Sequence, residues 1–248
     1  MSAPGAGSEP PSVTEMEAPL SADGLRANLA ALHAEQPGPR QAATRRIGAA
    51  TRLLIERLVA TSAPPERLER MAERLEALAG ELDGYERRRL YEGFAESSVA
   101  GRSSAFFDWS PMLGQANPLA PPIAVRVEGD AVVGDVRFGS AYEGPPGCVH
   151  GGYLAAAFDD VLGLAQAVGG RPAMTATLEI RYRSPTPLHA ALRFEARVVE
   201  RSGRKLTVVG TCSATDSVTA EAKALFIQVT PERFRSLLAE RERRQAGG

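Results

Sequence analysis

Gly144-Pro-Pro-Gly-Cys-Val-His-Gly-Gly-Tyr-Leu-Ala-Ala-Ala-Phe-Asp-Asp-Val-Leu-Gly-Leu-Ala165 is the stretch whose reading decides the fold. Gly144, Pro145, Pro146 and Gly147 are turn formers that break strands and helices. After His150, Gly151 and Gly152 comes a run apolar on every side, through Tyr153, Leu154, Ala155, Phe158, Val161, Leu162, Leu164 and Ala165. A helix without a polar stripe is expected to be buried. This one is too short and interrupted to cross a bilayer, which takes about 20 apolar residues. Asp159 and Asp160 interrupt the run. Placing an unpaired carboxylate among apolar groups costs several kcal/mol, so both are marked for a role, and either is a candidate base.

The start of this helix is a candidate electrophile site. The first N–H groups of a helix have no intrahelical partner, and the macrodipole adds roughly half a positive charge there. Gly151 and Gly152 carry no side chain, so a ligand oxygen could come close to those donors. Eight residues separate Gly151 from Asp159, about 12 Å along one helix axis. A carbonyl held at Gly151 is then out of reach of Asp159 on the same helix. An antiparallel copy of the helix, as a two-fold dimer supplies, would bring the two together.

His150-Gly151-Gly152, the Gly-Pro-Pro-Gly lead-in, Asp159 nine positions after the histidine, and the later segment Thr175-Ala-Thr-Leu-Glu-Ile-Arg-Tyr-Arg-Ser-Pro-Thr-Pro187 together resemble the hotdog-fold thioesterases of the phenylacetate-degradation type. The resemblance covers about residues 121–230. It implies an α+β hotdog fold, an antiparallel sheet wrapped around a long central helix, and hydrolysis of acyl-CoA thioesters by an attacking water. It also implies roles. The Gly151 N–H becomes the oxyanion donor, and Asp159 of the other subunit the general base or nucleophile. Thr175 holds the water or the carboxylate, and His150 fixes the loop or lies against the thioester. Gly152, Tyr182 and Ser184 become substrate-binding residues. Relatives of this type form homodimers or dimers of dimers. Some carry an Asn or Gln ahead of the histidine; here that region is Glu143-Gly-Pro-Pro-Gly147, without such an amide. Two other readings stay open: a non-catalytic acyl-CoA-binding hotdog protein, and a hotdog hydratase or dehydratase.

The rest of the chain frames that centre. A formal net charge of −1 gives no electrostatic footprint for nucleic acid. Two cysteines and three scattered histidines give neither a disulfide framework nor a metal-ligand spacing, so no metal and no cofactor are expected. Cys148 lies near a helix start, where a thiol can be activated, but no paired base is visible. Residues 1–40, rich in Ala, Pro, Gly, Ser and Glu, lack the pattern of a secretory signal and are expected to be disordered. The expected location is cytoplasmic, without membrane insertion.

Residues 41–100 are expected to form a helical hairpin extension. Ile47, Thr51, Leu54 and Leu58 mark one face, Ser62-Ala-Pro-Pro65 a break, and Leu68, Met71, Leu75, Leu78 and Leu82 a second apolar seam. The basic run Tyr85–Tyr91 reads as a solvated helix face. Phe106, Phe107 and Trp109 read as core or pocket lining. Residues 101–248 then make the hotdog domain. Alternation over 123–127 and 131–138 around Glu128-Gly-Asp130 predicts a β-hairpin. Gly169-Gly170 stops the central helix. Strands are expected over 175–183, 192–201, 206–214 and 219–229, and a charged C-terminal helix over 232–244. A succession of antiparallel strands after one buried helix argues α+β.

Overall fold

The computed structural model describes residues 37–85, 108–168 and 173–229, with positions 236 and 240. The expectations for residues 1–36, for the basic run beyond Tyr85, for Phe106 and Phe107, for Gly169-Gly170 and for the C-terminal helix lie outside these residues.

Two helices come first, α1 (Pro39–Val59) and α2 (Pro65–Gly80). Each opens with proline, whose missing N–H costs nothing at a first helical position. The strands are β1 (Ala124–Glu128), β2 (Ala131–Val136), β3 (Ala173–Tyr182), β4 (Leu192–Ser202), β5 (Lys205–Ala214) and β6 (Ser217–Gln228). Between β2 and β3 lie a short 3-10 turn, Ser140–Tyr142, and the central helix α3 (Gly151–Ala167). The hairpin and the four later strands fall where the alternation predicts them, shifted at their ends by one or two residues.

All six strands form one antiparallel sheet in the order β1-β2-β4-β5-β6-β3. The sheet curls over α3, as expected of a hotdog fold. Inward residues of β4 alternate with outward charges: Leu192, Phe194 and Ala196 are buried while Arg193, Glu195 and Arg197 are not. Phe158 of α3 meets Phe194 edge to face, with ring centroids 5.0 Å apart. Phe158, Leu162, Phe194, Leu206 and Phe226 are all essentially inaccessible to solvent. Burial of each such side chain stabilises the fold by about 1.5–3 kcal/mol, which fixes α3 on the sheet.

The all-round burial expected of α3 does not hold in the single chain. Leu154, Phe158, Val161 and Leu162 are buried, but Gly152, Tyr153 and Asp159 are exposed, and Ala155, Ala156, Asp160 and Gly163 are partly so. The helix therefore has an open face, built from small residues and Asp159. Ala and Gly count as apolar in a sequence whichever way they point.

The helical extension also differs from expectation. Ile47 and Leu58 are exposed. The face of α1 that meets the body is polar: Gln41, Arg45, Arg52 and Glu56, with Gly48 at the closest approach. Asp108, 5% exposed, accepts hydrogen bonds from Gln41 Nε2 at 2.5 Å and from Arg45 Nε at 2.6 Å. Arg52 donates to the carbonyls of Asn117 and Gln115 at 2.7 and 2.9 Å. Glu56 accepts from the Ser140 N–H and hydroxyl at 2.7 and 2.8 Å. At Gly48 a Cβ would lie 2.5 Å from the Ala116 carbonyl oxygen, so only glycine lets the helix come this close. The expected seam of α2 is engaged only at its start. Leu68 and Met71 share a crevice with Leu54 and Leu58 of α1, whereas Leu75, Leu78 and Leu82 remain exposed.

Candidate active site

The turn that opens α3 is held on both sides. Gly147 has φ +71°, a left-handed conformation that suits glycine. Its N–H donates to Glu143 Oε1 at 2.6 Å, so Glu143 braces the turn. The Val149 N–H donates to the Thr186 carbonyl and the His150 N–H to the Tyr142 carbonyl, both at 2.8 Å. Cys148 makes a long contact from Sγ to the Pro146 carbonyl at 3.5 Å. It is part of this turn, and among the described residues its thiol hydrogen-bonds to no base.

His150 is the N-cap of α3. Its Nδ1 accepts the Gly152 N–H at 3.0 Å, satisfying one of the orphan donors of the helix start. With Nδ1 accepting, the proton of the neutral ring sits on Nε2. The sequence offered two glycine donors, but the Gly152 N–H is taken by the imidazole. The Gly151 N–H donates to none of the described residues. On the other side of Gly151, the Tyr182 hydroxyl donates to the Gly151 carbonyl at 2.9 Å. A Cβ at Gly151 would lie 3.1 Å from that hydroxyl oxygen, so Tyr182 occupies the space a side chain would need. Ser184 stands just beyond Tyr182, exposed, its N–H donating to the Thr219 carbonyl at 3.1 Å.

The two acids of α3 differ in surroundings. Asp159 lies on the open face, where the Thr175 hydroxyl donates to its Oδ1 at 2.9 Å. Thr175 belongs to β3, at the edge of the sheet, and the strand has a bulge between Thr175 and Thr177. Bulges re-aim side chains next to functional sites. Asp160, about 100° further round the helix, points toward the segment before β1. Ser110 Oγ donates to its Oδ2 at 3.0 Å and accepts the N–H groups of Met112 and Leu113 at 3.3 and 3.1 Å. Burial pushes the Asp160 carboxyl up to about 6, against the Ser110 hydrogen bond and helped by the charge of Asp159. The acid that the apolar surroundings perturb is therefore Asp160. Sequence reasoning could not find its partner, since Ser110 lies 50 positions away.

Among the described residues no group of three or more His, Cys, Asp or Glu could hold a metal ion, and no helix is long and apolar enough to cross a membrane.

One long helix with a glycine-led, His-capped start, set in a curled antiparallel sheet, defines a hotdog-fold protein. The thioesterase superfamily profile matches residues 146–222, spanning α3 and most of the later sheet. A crystal structure described as a thioesterase superfamily protein shares 33% identity, with a TM-score of 0.65, over 78% of this chain and 97% of its own. The chain belongs to the thioesterase superfamily. It is 40% identical over 93 residues to acyl-coenzyme A thioesterase THEM4 of Mus musculus. It is 30% identical over 96 residues to acyl-coenzyme A thioesterase THEM5 of Homo sapiens. These alignments cover 37% and 38% of this chain, and 40% and 39% of the relatives, so the chain spans well under half the length of the curated relatives it matches.

Proposed function

We propose that the protein hydrolyses acyl-CoA thioesters to the free acid and CoA by attack of water, at sites shared between two copies of the chain. The observation that carries this reading is the division of labour on α3: an unengaged Gly151 N–H at its start and a solvent-facing Asp159–Thr175 pair two turns on.

In the proposed step, the thioester oxygen rests at the Gly151 N–H. Asp159 takes a proton from a water held with the help of Thr175, and the water oxygen bonds to the acyl carbon. The carbonyl electron pair moves to oxygen, where the Gly151 N–H and the helix dipole stabilise it; such a donor is commonly worth about 3 kcal/mol. Collapse of the intermediate expels the CoA thiolate, which regains a proton from Asp159. His150 fixes the turn as N-cap, and Tyr182 holds the Gly151 carbonyl.

Because Gly151 and Asp159 are about 12 Å apart along one helix, each site needs the Asp159 of a second chain. Two features support a homodimer. The open face of α3 is small and nearly uncharged apart from Asp159. Among the described residues, strand β3 pairs with β6 on one side only, leaving a ten-residue edge of the kind that proteins otherwise shield. The names of the curated relatives support the substrate class.

Incubation with acyl-CoA and a thiol reagent tests the reading directly. Release of free CoA is expected. No release from any acyl-CoA, or conversion of β-hydroxyacyl-CoA to the enoyl product instead, would overturn it.

A further inference from the structure

A groove of about 460 Å³ opens between α1 and the hotdog body, within the size range of small-molecule sites. Leu53 of α1 forms one side, Leu119 and Pro121 of the segment before β1 another, and the rings of Tyr142 and Tyr153 also line it. Leu53, Leu119 and Tyr153 are three of the larger apolar side chains left exposed on the molecule, at 50%, 70% and 39%, and they converge on this one groove. Exposed apolar surface gathered at a concavity marks a binding site.

The polar groups around the groove are already engaged. Arg52 is bonded to the Gln115 and Asn117 carbonyls, Glu56 to Ser140, and Arg137 to the His189 carbonyl. The surface left for a ligand is chiefly hydrocarbon and aromatic ring.

One lining ring of the groove, Tyr153, stands beside the proposed reaction centre. Tyr153 is two residues after Gly151 in the first turn of α3. Its ring lies edge-on to Tyr142 at 4.9 Å and to His150 at 6.2 Å between centroids. The Tyr142 carbonyl in turn holds the His150 N–H.

We infer that this groove receives the apolar tail of the acyl group, and that Leu53 of the N-terminal helix and Leu119 determine how long a tail the protein accepts. The inference rests on the thioesterase reading and adds to it: α1, outside the stretch matched by the superfamily profile, becomes part of the substrate site.

The experiment compares kcat/KM for acetyl-CoA, octanoyl-CoA and palmitoyl-CoA in the full chain and in Leu53→Asp and Leu119→Asp. Both side chains are at least half exposed, so the substitutions spare the core. An Ile47→Asp variant, on α1 but outside the groove, is the control. Losing contact with two methylenes is worth roughly tenfold. The ratio of kcat/KM for palmitoyl-CoA to that for acetyl-CoA should fall by about that factor in the Leu53 and Leu119 variants, mainly through KM, and hold in the Ile47 variant. An unchanged ratio would overturn the inference while leaving the hydrolase reading intact. So would an equal loss for all three substrates, which points to the CoA moiety, or an equal effect of Ile47→Asp. Absence of hydrolysis of any acyl-CoA by the unaltered protein would remove both.

Discussion

Thr175 Oγ1 donates a hydrogen bond to Asp159 Oδ1 at 2.9 Å, joining the free-edged strand β3 to the open face of α3. This contact leaves Oδ2 of the carboxylate available on the solvent side. It also sets the expected result of Asp159→Asn. The amide oxygen still accepts from Thr175, so local structure should persist while the charge is lost. The turnover number should fall at least about 100-fold, the ordinary reach of general acid–base catalysis. KM should change little, since the loss is confined to the transition state. Steady-state kinetics on acyl-CoA checks this, and an Asp159→Asn enzyme of full activity would remove the central residue.

Gly151→Pro removes the N–H that has no partner among the described residues, by a substitution the backbone accommodates. Proline is favoured at a first helical position. His150, at φ −60° and ψ 131°, already has the extended conformation required ahead of proline. The added Cβ needs Tyr182 to give way by a few tenths of an ångström. The variant alone should be nearly inactive. Mixed with Asp159→Asn under conditions of subunit exchange, it should recover up to half of the activity per heterodimer. That follows only where donor and acid come from different chains. Activity assays on the mixture, with mixed dimers verified by mass, decide it; no recovery in verified heterodimers argues for a site within one chain.

The pH dependence of stability follows from Asp160. Its carboxyl is raised from 3.8 to about 6 in the folded chain, so between these values the folded state binds more protons than the unfolded one. Stability from this group is therefore fully present below about pH 4 and declines as pH rises through 6. Asp160→Asn, which cannot ionise and still accepts from Ser110, should flatten this slope. Relative to the parent, its melting temperature should rise as pH goes from 4 to 8. Thermal unfolding across that range is the check, and parallel curves would show that Asp160 is not held protonated.

Gly48→Ala tests the docking of α1. Its Cβ would sit 2.5 Å from the Ala116 carbonyl oxygen, a backbone atom with no room to turn aside. Overpacking of this kind costs typically about 1–3 kcal/mol. Ala49→Gly, one position along on the exposed side of the same helix, should cost only about 1 kcal/mol through helix propensity. Denaturant unfolding of the two variants separates a steric effect from a propensity effect, and equal losses would contradict the close approach.

The hydrophobic run through Phe158 and Leu162, the Glu128-Gly-Asp130 turn and the later strands were legible because period and turn chemistry are local. The corner at Gly151 was legible for the same reason: a glycine pair before an apolar run announces a helix start. Three things were not. The open side of α3 is written in Gly and Ala, which carry no sign of facing solvent or core. The partner of Asp160 is set by tertiary folding, not by spacing. The side of α1 docked on the body is its arginine and glutamate side, which an apolar-face rule does not pick out; that rule marks the side that meets α2 at Leu54 and Leu58. The Leu68–Leu82 seam follows a repeat suited to a partner helix, but among the described residues only its first turn has one.

The attachment of α1 has a consequence for how the N-terminal region behaves. Nonpolar contacts tolerate sliding by a turn or a few degrees; a guanidinium on two named carbonyls and a carboxylate on one serine do not. Helix and body are thus indexed to each other like a keyed joint, at a single position along and around the helix axis. One wall of the groove then belongs to an element with a definite seat.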